Sequence, residues 1–163
     1  MISFRVHGVP KGQPRPRAFA FKGHARVYDA GTSEGWKSEI ALAARPHLPT
    51  APLEGALAIV IEVWMPRPAA HFIASKRERG RKAGSPIYHT SKPDADNLAK
   101  AILDALSTLR FWHDDNQVAR LVVIKRYEDT ADGPGAHICM EPIKGANNES
   151  NNFSPAADAA EKE

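Results

Sequence analysis

Leu98, Ala101, Ile102, Ala105, Leu106 and Leu109 recur at i, i+3, i+4, i+7, i+8 and i+11. That is one apolar stripe at the period of an α-helix, and a stripe of this kind is buried against a core. The stripe predicts a central helix that begins near Asp94 or Asp96. Asn97, Lys100 and Asp104 fall away from its centre. Ala56 to Met65, rich in Ile and Val, reads as a well-buried strand. The helix is bracketed by acids: Asp94 and Asp96 at its start, Asp114 and Asp115 beyond its end.

The remaining elements are read in the same way. Ser3 to His7 alternates polar and apolar residues and predicts a strand. The prolines and glycine of Pro10 to Arg17 predict an open loop, followed by a short extended piece at Arg26 to Tyr28. Thr32 or Ser33 can cap a helix through Ala44, which Pro46 and Pro49 end. Residues 66–92 form a long basic connection, in which Ala74 to Ala83 can make a short helix. Val118 to Tyr127 and Ala136 to Ile143 predict two more strands, and Glu128 to Gly135 between them is short enough for a hairpin. The expected fold class is α+β, a single domain over 1–145 with a small mixed β-sheet and two main helices packed against it. Residues 146–163 have almost no large apolar side chain and are expected to be a disordered acidic tail.

Charge points to an anionic partner. The formal net charge is +3 over 163 residues. The tail from residue 147 holds Lys162 against Glu149, Asp158, Glu161 and Glu163; without it, 21 basic side chains face 15 acidic ones, a net of +6. A cationic domain favours nucleic acid. The candidate DNA-backbone contacts are Arg15, Arg17, Lys22, Arg26, Lys76, Arg77, Arg79, Arg81, Lys82 and Lys92. One cysteine, Cys139, excludes an internal disulfide, and Met1 to Val6 lacks a signal peptide's apolar stretch. Together these predict a reducing, cytoplasmic setting. No apolar run approaches the ~18 residues of a membrane helix. The P-loop, dinucleotide and zincin signatures are absent, which disfavours an ATP-driven motor, a Rossmann oxidoreductase and a zinc protease.

Clustered carboxylates repel one another unless a cation sits among them, and Mg²⁺ takes oxygen ligands of this kind. Asp94 and Asp96 straddle a helix start, and Asp115 comes from the turn before the next strand. Three carboxylates from two adjacent segments can converge on Mg²⁺, with Lys100, one turn after Asp96, beside a scissile phosphate. Taken singly, Asp96 reads as no more than an N-cap, and Asp114-Asp115-Asn116 as no more than a polar turn.

Lys92-Pro-Asp-Ala-Asp-Asn-Leu-Ala-Lys100, Leu103-Asp-Ala-Leu106 and Asp114-Asp-Asn-Gln-Val118 together resemble the signature of the RusA-type Holliday junction resolvases. The Gly-x-Pro…Pro-Arg-Pro-Arg segment, Tyr28-Asp29 and the Trp36 helix are similar to longer phage-type members. The resemblance covers roughly residues 3–143. It implies a Mg²⁺-dependent homodimer that nicks opposing strands of a four-way junction. Carried over by motif, Asp94, Asp96 and Asp115 are the catalytic, metal-holding acids, and Lys100 is the essential lysine; Asp114 precedes the matching acid. The long basic loop and the tail are absent from the shortest members. The alternatives are a related nuclease acting on flaps or forks, or a catalytically silent junction-binding protein.

Overall fold

The structure is a computed structural model describing residues 1–13, 17–21, 24–28, 33–73, 80–129 and 132–143, with 17–21 and 24–28 described as backbone. Arg15, Lys22, Lys76, Arg77, Arg79 and the tail lie outside these residues. Arg17 and Arg26 fall in the backbone-only strands.

The elements in chain order are β1 (Ile2–His7), β2 (Arg17–Phe21), β3 (His24–Tyr28), α1 (Glu34–Ala44), β4 (Leu57–Met65), α2 (Ala95–Thr108), β5 (Val118–Tyr127) and β6 (Gly135–Pro142). Four strands form a mixed sheet in the order β1-β6-β4-β5, and β2 pairs with β3 in a separate hairpin. β4 and β5 run parallel, with α2 in the connection between them; the other two pairings are antiparallel. The expected α+β class is what the chain adopts.

β4 takes the centre because seven of its nine residues are buried, so it needs cover on both faces and a partner on both edges. Leu57, Ile59, Ile61, Val63 and Met65 share one face with Phe4, Val6, Ala136, Ile138 and Met140 of the neighbouring strands. Trp36, Ile40 and Ala44 of α1 and Leu98, Ala101, Ile102, Ala105 and Leu106 of α2 close over that face. The predicted stripe of α2 is therefore its core contact. The opposite face is more polar: Ser3 Oγ lies 2.8 Å from His137 Nε2, Arg5 stacks over Trp64 at 4.6 Å, and Arg126 reaches Glu62 at 3.5 Å. No helix among the described residues is long and apolar enough to cross a membrane.

Three expectations are corrected. β5 and β6 do not form a hairpin, because β4 lies between them. Their connection steps across β4: Glu128 N donates to Met65 O at 2.8 Å, and β6 then starts opposite Trp64. The expected loop through Arg17 ends earlier, because Arg17–Phe21 pairs with His24–Tyr28. Residues 80–83 are not helical; Arg81 bridges Phe72 in an antiparallel stem, with Ile73 N bonded to Gly80 O and Lys82 N to His71 O.

Candidate metal and nucleic-acid site

Asp94 is the N-cap residue of α2, with extended backbone (φ −70°, ψ 153°), and its carbonyl accepts the first helical bond from Leu98 N at 3.1 Å. Its carboxylate makes no capping bond. Asp96 follows in the first turn, and both residues are exposed. A helix start carries unpaired N–H groups and partial positive charge, so two carboxylates are tolerated there. Lys100 lies one turn on, with Nζ 3.4 Å from Asp104 Oδ1; Asp104 also meets Lys37 of α1 at 3.6 Å.

The N-terminal loop crosses this end of α2. Gln13 N donates to Asn97 O at 2.9 Å. A β-carbon on Gly12 would come within 2.9 Å of Pro93 Cβ and 3.0 Å of Asn97 Cβ, so glycine is required for the close approach. Gly12→Ala is expected to lower stability by about 1–3 kcal/mol through overpacking. Urea melts of the two proteins check this; equal midpoints would mean that the loop yields freely.

Asp114 and Asp115 divide their labour. Asp114 accepts from Asn116 N at 2.9 Å and caps the short turn Asp115–Gln117. Gln117 Oε1 returns the bond to Asp114 N (3.1 Å), and its amide donates to Leu53 O and Gly55 O. Asp114 is thus engaged in the turn itself. Asp115 is exposed, and its Oδ1 accepts from Trp112 Nε1 at 2.9 Å and from Ser107 Oγ. Ser107 belongs to the last turn of α2. It stands twelve residues beyond Ala95, roughly 18 Å along the axis at ~1.5 Å per residue. One chain therefore places Asp94 and Asp96 at the start of α2 and Lys100 one turn on, with its ammonium on Asp104, and sets Asp115 near the other end. No group of three His, Cys, Asp or Glu side chains able to hold a metal occurs among the described residues.

The basic candidates differ in their engagement. Arg81 pairs with Asp129 at 2.5 Å, and Lys82 Nζ donates to Ala70 O at 2.9 Å, so both brace the stem of the long connection. That stem is anchored by Arg67, a buried cation that donates to Glu128 O and Pro86 O and lies over Tyr127. Lys92 is exposed and stands two residues before Asp94.

Residues missed by sequence reasoning sit at both ends of α2. Ser107 and Trp112 orient Asp115, Gly12 and Gln13 cover Asn97, and Lys125 of β5 adjoins the segment leading into α2. His89, in that segment, is pushed below the ordinary histidine value by burial and, next, by the Lys125 ammonium. None of these carries a motif signal; each is defined by what it meets in three dimensions.

A profile of the family described as endodeoxyribonuclease RusA matches residues 7–140. An uncharacterized Bacillus subtilis (strain 168) protein, YqaN, is 33% identical over 129 residues, covering 78% of this chain and 89% of that protein.

Proposed function

Because the chain belongs to the RusA endodeoxyribonuclease family, hydrolases that act on DNA at Holliday junctions, we propose that it is a Mg²⁺-dependent resolvase. In this reading it nicks opposing strands of a four-way junction in the cytoplasm during recombination and repair. Asp94, Asp96 and Asp115 hold the metal, and Lys100 neutralises charge at the scissile phosphate. The observation that carries the reading is the pair of exposed carboxylates at the positive end of α2, with the N-cap carboxylate unused for capping. A purely structural N-cap would bond the N–H of the first turn.

These donors fit a hard cation. Mg²⁺ is commonly held by one or two carboxylates together with waters and phosphate oxygens. Bound there, it would polarise the phosphodiester and make hydroxide available. Asp94 and Asp96 supply oxygen ligands, and Lys100, released from Asp104, supplies a cation one helical turn away.

Asp115 joins this set only from a second copy, which supports a homodimer. Residues 87–89 cover the outer edge of β5 near its end, through Tyr127 N to Ile87 O and His89 N to Lys125 O. No described segment pairs with that edge over 118–123, where Leu121 and Val122 are 41% and 36% exposed. At strand period, residues 121 and 123 turn their backbone groups the same way as 125 and 127. Two such edges pairing antiparallel about a dyad at Leu121 set the start of β5 in one chain, residue 118, opposite residue 124 near the end of β5 in its partner. The turn that carries Asp115 then faces the end of the partner's β5 along which the chain enters α2. An isologous dimer also matches the symmetry of a four-way junction.

Time courses on a synthetic four-way junction, a flap and a linear duplex at equal concentration test the proposal. Symmetric junction nicks in Mg²⁺, none in EDTA and slower cutting of the other substrates are the expected result. Equal rates on all three would remove junction selectivity, and binding without products in Mg²⁺ would make the protein a silent junction binder.

A further inference from the structure

The chain enters α2 along β5, and Lys125 ties the two together twice. Its backbone carbonyl accepts from His89 N at 3.1 Å, and the bridge between Tyr88 and Arg126 continues this short antiparallel addition to the sheet. Past His89 the ladder stops and the side chain takes over. Lys125 Nζ donates to Ser91 O and to Pro93 O, both at 2.7 Å. The Pro93 carbonyl belongs to the peptide unit that carries the Asp94 nitrogen. The ammonium therefore grips the peptide plane from which the N-cap residue departs. Charge-assisted bonds of this length are about twice as strong as neutral ones. An ammonium beside the positive end of a helix is unfavourable unless anions offset it, and Asp94 and Asp96 are the anions at that end.

We propose that Lys125 is a positioning residue: by holding the Ser91 and Pro93 carbonyls it sets the direction of the Asp94 carboxylate. The catalytic consequence rests on the resolvase reading; the structural consequence does not. Outer partners of metal-holding groups typically change metal affinity or activity by about 10–100-fold when removed.

The test compares wild type, Lys125→Met and Lys125→Arg in two measurements. The first is amide hydrogen exchange at Leu98, whose N–H bonds the Asp94 carbonyl, with the interior amide of Ile102 as reference. The second is junction cleavage against Mg²⁺ concentration, with junction Kd measured separately in Ca²⁺. In Lys125→Met, Leu98 should exchange at least tenfold faster while Ile102 is unchanged. Cleavage at limiting Mg²⁺ should fall about 10–100-fold with Kd within about twofold of wild type. Lys125→Arg, which keeps a cationic donor, should restore most of both. Unchanged exchange and unchanged Mg²⁺ dependence overturn the proposal, as does equal acceleration at Leu98 and Ile102, which marks a general brace. Should Lys125→Met not fold, Lys125→Gln takes its place, and failure of both to fold overturns the positioning role. A wild-type protein that cuts no junction defeats the resolvase reading and leaves Lys125 to be decided by the exchange data.

Discussion

Asp96→Asn should bind a four-way junction at least as tightly as wild type and cut it about a thousandfold more slowly, a loss of ~4 kcal/mol of transition-state stabilisation. The folding and chemical consequences are separable. Asp96 is exposed in the first turn of α2. Replacing its carboxylate there removes a favourable interaction with the helix dipole, typically about 0.3–1 kcal/mol. Asparagine matches the carboxylate in shape and keeps a side-chain oxygen, so the domain should stay folded and a loss of cutting reports on chemistry. Binding should not weaken, because the change removes a negative charge from a surface meant for phosphate. Parallel measurements of Kd in Ca²⁺, of Tm and of single-turnover cleavage in Mg²⁺ distinguish the terms. Cutting at the wild-type rate would remove Asp96 from the mechanism, and a large fall in Tm would reassign it to the fold.

Much of the scaffold was legible from pattern alone, and the reasons for success and failure are physical. The α2 stripe has a period that only a helix satisfies, and the run from Leu57 to Met65 has too little polarity for any place but the sheet centre. Strand partners were less accessible. A seven-residue link between β5 and β6 suits a hairpin, yet it also spans one intervening strand at ~4.8 Å spacing. The burial demand of β4 decides between them. The β2–β3 hairpin was half seen, because the prolines before Arg17 mask the short alternation that follows.

The site was legible as chemistry and less so as geometry. Asp94, Asp96, Lys100 and Asp115, the proposed site, stand out by residue type and spacing. Their separation was not legible: a 14-residue helix is ~21 Å long, but the residues from 109 to 115 could return about that distance if extended. It is the bonds from Ser107 and Trp112 that hold Asp115 near that far end and away from Asp94 within one chain. Lys125 was invisible for another reason. A lysine in a strand announces nothing about which carbonyls its ammonium will meet; that depends on where the 87–93 segment lies against β5.

Mixing Asp94→Asn and Asp115→Asn proteins should restore cutting that neither variant has alone. If a site takes Asp94 and Asp96 from one chain and Asp115 from the other, a heterodimer contains one site with both defects and one site with none. If each site belongs to a single chain, both sites of the heterodimer are damaged and mixing restores nothing. Random reassociation makes about half of the dimers mixed, each with one good site, so nicking should return to roughly a quarter of the wild-type site number. The product should change as well. One working site per dimer cuts one strand, so the mixture should accumulate singly nicked junctions in place of the resolved duplexes that paired nicking yields. Co-expression with two different affinity tags isolates the mixed dimers, and denaturing and native gels read strand scission and resolution separately. Purified mixed dimers that stay inactive would place Asp115 outside the partner's site and leave the β5 edge without its proposed role.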